Sequence, residues 1–175
     1  MEILKNTIYA VVAIVVLVFG LSSLIPPTFK VERSIEIEAT QDKIFPHIVD
    51  LKQWKNWGVW YERDPKMEVK YSGPDQQVGM KSEWSSPTEG SGYMEIIEIE
   101  PNTKVVYNLV FPDVDMKSKG KLVLEAKDGK TTVTWTDAGK IQGNPLNRYF
   151  LLFLDSMIGP DFEAGLKNLK RLSED

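Results

Sequence analysis

From Asn6 to Phe29 the chain carries no charged residue. The densest apolar part runs from Ile8 to Leu21 and is continued by Leu24 and Ile25. Roughly 18–20 helical residues span about 27–30 Å, the hydrocarbon thickness of a bilayer. Valine and isoleucine dominate the run, but in lipid an unpaired backbone amide is so costly that helix is enforced. Pro26-Pro27 then stops the helix at its exit. The sequence therefore predicts a membrane anchor within residues 1–29, with residues 8–25 in the bilayer. A cleaved signal peptide competes with this reading: Lys5 would be its basic start, Ile8–Phe19 its apolar stretch, and Ser22 the residue before cleavage. Gly20 makes that site unlike Ala-x-Ala, and the apolar run continues past it. A buried core helix is the third reading. Lys5 and the amino terminus flank one side of the span, Lys30 and Arg33 the other. The very short N-terminal arm favours leaving that end in the cytoplasm and the domain on the extracytoplasmic side.

After the prolines the apolar period changes. Val31, Arg33, Ile35 and Ile37 alternate with Glu32, Ser34, Glu36 and Glu38, which predicts a strand with one wet face. Thr40 can cap a short helix through Phe45, Ile48 and Val49, bent or shortened by Pro46. A second helical turn is expected over Leu51–Trp57. Strand-like segments follow at Met67–Tyr71, Val78–Trp84, Tyr93–Glu100, Val105–Phe111, Lys119–Ala126 and Thr131–Gly139. Ser72-Gly73-Pro74, Pro101-Asn102 and Asp128-Gly129 supply turns, the last a strong hairpin signal. Asn144-Pro145 reads as an N-cap and first-turn proline. Phe150, Phe153, Leu154, Met157, Phe162, Leu166, Leu169 and Leu172 then recur at spacings of three and four, one helical face. Gly159-Pro160 should interrupt and kink that helix.

This order predicts an α+β domain over residues 30–175. A curved seven-stranded antiparallel sheet would wrap on the long C-terminal helix, with two short helices after the first strand. Such a sheet leaves space beneath the helix, and so an apolar cavity. Apolar residues make up 42% of the chain and aromatics 10%, enough for a real core. The net charge of −4, with no long run of either sign, argues against nucleic acid as a partner. The chain has no cysteine, so disulfides, thiolate nucleophiles and cysteine metal sites are excluded.

No catalytic constellation stands out. His47 is the only histidine, which rules out a histidine metal cluster. Asp113 and Asp115 belong to one loop, too few ligands for a cation. Gly90-Ser91-Gly92 is not a nucleophile elbow. No metal or cofactor is expected. The aromatic residues are more informative, because rigid rings can line a pocket while an indole N–H or phenol O–H orients a ligand. Trp54, Trp57 and Trp60 repeat every three positions with Tyr61 beside them, and Trp84, Tyr93, Tyr107 and Trp135 lie in strands. With Met157 and Phe162 of the last helix they are the candidate ligand-binding residues; plain core packing is the alternative for each. Glu83, Glu95, Tyr93 or Tyr107 would supply acid–base groups if they point inward.

Several motifs carry a family resemblance. They include Val31-Glu32-Arg33-Ser34-Ile35, Trp54-x-x-Trp57-x-x-Trp60, Asp64-Pro65, Tyr71-Ser72-Gly73-Pro74 and Gly92-x-Met94-Glu95-Ile96. Val133-Thr134-Trp135 and Met157-Ile158-Gly159-x-Asp161-Phe162-Glu163-x-Gly165-Leu166-x-Asn168-Leu169 continue them. From about residue 30 to 172 the chain resembles the polyketide cyclase/dehydrase-like branch of the START and pollen-allergen superfamily. The resemblance implies a helix-grip fold holding lipids, sterols or polyketides, and a preceding membrane helix fits many bacterial members. It carries over no catalytic residue. Three functions follow: a membrane-anchored binding protein for a hydrophobic small molecule or lipid, a cyclase- or dehydratase-type enzyme, and an interaction or stress-response module with a vestigial cavity. The sequence does not define an oligomeric state.

Overall fold

The computed structural model describes residues 1–141 and 143–175. Helix α1 (Glu2–Leu24) leads into β1 (Thr28–Ile37), then α2 (Gln41–Val49), a 3-10 segment (Leu51–Asn56) and α3 (Val59–Arg63). Six strands follow: β2 (Glu68–Ser72), β3 (Lys81–Ser86), β4 (Gly90–Glu100), β5 (Lys104–Phe111), β6 (Met116–Lys127) and β7 (Lys130–Ile141). Helix α4 (Arg148–Glu174) is the last element. All neighbouring strands are antiparallel, in the order β1-β7-β6-β5-β4-β3-β2. Strands β1 and β2 are therefore opposite edges, and α2, the 3-10 segment and α3 make the crossing between them. The structure is the α+β helix-grip fold that the sequence predicts, with α3 as an extra helical turn.

Local chemistry explains the main turns and ends. Asp128 and Gly129 both take positive φ, 52° and 81°, which gives the two-residue β6–β7 hairpin its twist. A register shift at Ile96/Glu98 puts a bulge between β4 and β5, a device that bends a sheet. Strand β3 starts at Lys81 rather than Val78, which is exposed. The Asn144 side chain accepts a hydrogen bond from the Leu146 N–H at 3.0 Å and opens a 3-10 turn that runs into α4.

The core lies between one face of the sheet and the helices. Val31 and Ile37 of β1, Tyr107 of β5, Leu122 and Leu124 of β6, and Val133 and Trp135 of β7 are buried there. Ile44 and Ile48 of α2 and Leu51, Trp54 and Trp57 close one side. Helix α4 contributes Leu154, Phe162, Leu166 and Leu169. The expected single apolar face of α4 is in fact two adjacent stripes. Leu154, Phe162, Leu166 and Leu169 grip the sheet, whereas Phe150, Phe153 and Met157 are exposed, at 44%, 61% and 55%.

The expected interruption at Gly159-Pro160 is absent, and α4 is helical throughout. Packing of Leu154 before the pair and Phe162 after it holds the helix on the sheet, and tertiary contacts override local propensity. Gly159 has a different role. The Arg33 side chain lies across it and pairs with Asp155 at 2.9 Å and Glu163 at 2.8 Å, one turn to either side. A Cβ at Gly159 would meet the Arg33 guanidinium. At Gly120 of β6 a Cβ would overlap the ring of Tyr107, its partner on β5.

These two glycines should respond differently to alanine. The Arg33 tip is flexible, and losing its half-exposed ion pairs offsets the gain in helix propensity. Gly159→Ala should therefore change stability by less than about 1 kcal/mol. The Tyr107 ring is fully enclosed, so Gly120→Ala should cost about 2–4 kcal/mol through overpacking and a lost buried hydrogen bond. Denaturant melts of both variants check the contrast.

Candidate ligand cavity

The sheet and α4 do not fill the space between them. A cavity of about 170 Å³ remains, and its wall is almost wholly apolar. Inward-facing strand positions build most of that wall: Phe29 and Val31 of β1, Trp84 of β3, Met94 of β4, Tyr107, Leu109 and Phe111 of β5, Met116 of β6, and Trp135 and Asp137 of β7. Trp54, Trp60 and Tyr61 cover it from the segment between β1 and β2, joined by Met67 and Glu89. Ile158 and Phe162 of α4 complete it.

Trp135 is the centre of the aromatic wall. Its indole stacks on Phe162 with centroids 4.0 Å apart and planes 7° from parallel. Trp54 and Trp60 meet it edge-on at 5.6 and 5.8 Å, a geometry that puts a positive ring edge on a negative face. Its Nε1–H donates to the Tyr107 hydroxyl at 2.8 Å. Trp54 is oriented in turn by its own N–H, which donates to the Ile48 carbonyl at 2.9 Å.

Of the residues singled out from sequence, Trp54, Trp60, Trp84, Tyr107, Trp135 and Phe162 line the cavity. Trp57 does not. It lies behind the wall, packed on Trp54 and Trp135, and its N–H donates to the His47 carbonyl at 3.0 Å. The three-residue spacing failed here because the 3-10 segment ends at Asn56, so Trp57 and Trp60 sit on different elements. Tyr93 is on the outward parity of β4, beneath the Lys81 ammonium. Met157 is on the exposed stripe of α4, and its neighbour Ile158 takes the inward position. Among the candidate acid–base residues only Tyr107 faces inward. Glu83 is exposed, and Glu95 shares the outward parity of Tyr93.

Asp137 is the residue that the sequence reading missed. On β7, Thr131, Val133 and Trp135 all point inward, and Asp137 continues that parity. A carboxylate on the apolar register of a strand was the available signal. Asp137 is only 6% exposed, and its Oδ1 has no hydrogen-bond partner among the described residues. Burial pushes its carboxyl up to about 6 from an ordinary value of 3.8. The Ser118 hydroxyl offsets a little of this without reaching hydrogen-bond geometry. Burial, and secondarily the charge of Asp137, holds the Tyr107 phenol well above the usual range. Glu89 is different, because Arg63 of α3 pairs with it at 2.8 Å and with Asp161 of α4 at 2.6 Å, tying the rim together. His47 is half-buried on α2, outside the cavity, and burial lowers its pKa. Among the described residues no group of His, Asp and Glu is placed to hold a metal ion.

The architecture is a helix-grip domain built around an apolar cavity. The chain belongs to the family described as polyketide cyclase/dehydrase and lipid transport, whose model matches residues 28–174. Its fold is similar to a Thermobifida fusca protein of 20% identity, TM-score 0.61, covering 82% of this chain and 92% of that one. It is also similar to protein CV1439 of Chromobacterium violaceum, with 17% identity, TM-score 0.57, and 85% and 98% covered. A norcoclaurine synthase point mutant of Thalictrum flavum, in complex with a transition-state analogue, gives 13% identity, TM-score 0.59, and 83% and 94% covered. No curated protein sequence matches the chain.

The shifted carboxyl makes stability depend on pH. Between about pH 4 and 6 the folded chain keeps the Asp137 proton while the unfolded chain has released it, so folding weakens as pH rises through that window. Asp137→Asn removes this cost. The variant should be more stable than the parent by up to about 3 kcal/mol at pH 7, and equal to it near pH 4. Thermal melts at both pH values read the difference. Equal destabilisation at both would show that Asp137 serves folding through bonds of its own.

Proposed function

We propose that the chain is a membrane-anchored binding protein for a hydrophobic small molecule or lipid held in the cavity. The carrying observation is the apolar space between α4 and the sheet, ringed by Trp54, Trp60, Trp84 and Trp135. Burying a ligand there releases roughly 25 cal/mol for each Å² of apolar surface before the costs of association. A dry apolar cavity of about 150 Å³ suffices for benzene, so this one suits a ligand part of one or two rings, or a short stretch of chain.

Helix α1 supports the anchor. It is 23 residues long and highly apolar, and only 6% of its most apolar stretch is covered by the rest of the chain. The Tyr149 hydroxyl donates to the Val18 carbonyl at 2.7 Å, and Arg148 reaches the Ser23 and Ile25 carbonyls at 3.4 Å. With α1 in a bilayer, these contacts bring Phe150, Phe153 and Met157 to the membrane surface. The strand ends on that side are Thr28 paired with Lys140, and Met116 paired with Ile141 and Phe111. Phe29, Phe111 and Met116 line the cavity there, so its half-buried rim and the anchor share one end of the domain. A ligand taken from the bilayer has a short path. We place the domain on the extracytoplasmic side.

A second reading, a cyclase- or dehydratase-type enzyme, is favoured by Asp137 and Tyr107 on the same wall. A carboxyl poised near neutrality can move a proton to or from a bound ligand.

Two measurements test the binding reading. Calorimetric titration of the full chain in lipid nanodiscs with naphthalene should show saturable binding, and Leu109→Trp, which fills the cavity, should weaken it at least tenfold. Unchanged affinity in that variant would put the ligand elsewhere. Washing membranes with high salt and then carbonate should leave the full-length protein in the pellet. Its appearance in the wash, or a mature N-terminus at Ser23, would contradict the anchor.

A further inference from the structure

The cavity has one electrostatic fault. Its wall is almost wholly apolar, and of the two carboxyls that line it Glu89 is paired with Arg63 whereas Asp137 has no cation beside it among the described residues. Asp137 is 6% exposed and its Oδ1 lacks a partner among the described residues. Buried carboxylate oxygens are normally satisfied, because an unmade hydrogen bond to a desolvated charge is costly. The strands beside Asp137 supply no cation. Its neighbours in register are Val31 on β1 and Gly120 on β6. The Ser118 hydroxyl and the Tyr107 phenol are the neighbouring polar groups that its charge interacts with.

Every other charge around the cavity is accounted for. Arg63 of α3 is held between Glu89 and Asp161. Arg33 of β1 points across α4 to Asp155 and Glu163. Lys117, Lys119 and Lys121 of β6 occupy the outward parity and are exposed. The remaining titratable wall groups are the phenols of Tyr61 and Tyr107, both of which burial keeps protonated. The Tyr107 oxygen already accepts the Trp135 N–H.

An unpaired acceptor inside an apolar cavity selects ligands by what they donate. We propose that Asp137 is a ligand anchor, and that the cavity takes a hydrophobic molecule ending in a hydrogen-bond donor, a hydroxyl or an ammonium. This rests on the binding reading above. The donor would meet the Asp137 carboxylate where it borders the cavity, while the apolar body packs among Trp135, Phe162 and Leu109. A bare hydrocarbon leaves the carboxylate unsatisfied. A carboxylate ligand would place two like charges together in a site where neither is hydrated. Hydrogen bonds to a charged partner are worth enough for at least a tenfold preference.

The test compares four probes built on one ring system, the substituted ones all at position 2, on the full chain in lipid nanodiscs, with empty nanodiscs as the blank: naphthalene, 2-naphthol, 2-naphthylmethylamine and 2-naphthoate. At pH 7.5 we expect the naphthol or the amine to bind at least tenfold more tightly than naphthalene, and the naphthoate to bind more weakly. In Asp137→Asn, naphthalene should bind as before and the donor preference should fall to threefold or less. If that variant does not fold, the parent alone decides the matter. Its preference for the donor should grow as pH rises from 5 to 7.5 and Asp137 ionises. Naphthalene binding with no donor preference, or with a preference that neither Asp137→Asn nor pH alters, would overturn the anchor and leave the binding reading intact. Failure of all four probes to bind would overturn both.

Discussion

The contact of Trp135 with Phe162 is the joint on which this structure depends. A seven-stranded sheet with one apolar face needs a partner, and α4, 27 residues long, supplies it. The stacked indole and phenyl rings fix where the helix lies. Trp54 and Trp60 brace the same indole edge to face. Because these rings meet at their rims and faces, they define a frame without filling it. The Trp135 N–H holds the Tyr107 phenol against Gly120, where a side chain would have taken the space. A rigid aromatic frame around unfilled volume is what separates this domain from one with an ordinary packed core.

The same frame sets the electrostatics. Removing water from around β7 strands the Asp137 carboxyl in an apolar setting and raises its pKa to about 6. At the rim, where water is near, Arg63 and Arg33 clamp acidic groups of α4 and of the β3–β4 loop. Those pairs fasten α4 to edge strand β1 and to α3, which is itself tied to the β3–β4 loop. The Asp137 carboxyl on the cavity wall has no such cation beside it among the described residues. Cavity, carboxyl and N-terminal helix are thus connected: the apolar space creates the shifted acid, and its half-buried rim lies at the end of the domain from which α1 departs.

Most of the architecture is legible in the sequence. The alternation from Val31 to Ile37, the Asp128-Gly129 turn and the three-four spacing after Arg148 each predict the element that forms there. The departures have physical causes. Pro160 does not break α4, because contacts on either side outweigh local propensity. The apolar list in that helix merged two stripes, since positions one residue apart sit about 100° apart around the axis. The site was less readable. Aromatic residues in strands point inward or outward by parity, and parity depends on where pairing begins. Trp84, Tyr107 and Trp135 face the cavity while Tyr93 does not. Asp137 is the reverse case, a polar residue on the apolar register of β7.

The central claim is that an apolar molecule enters the space framed by Trp135. The six methionines provide reporters for it. Met67, Met94 and Met116 line the cavity, Met80 is buried outside it, and Met1 and Met157 are exposed. With methionine methyls labelled by ¹³C in the full chain in nanodiscs, naphthalene should shift the signals of Met67, Met94 and Met116 and leave Met80 in place. Movement confined to Met1 and Met157, with the three cavity methyls unchanged, would put the compound in the bilayer and contradict the account.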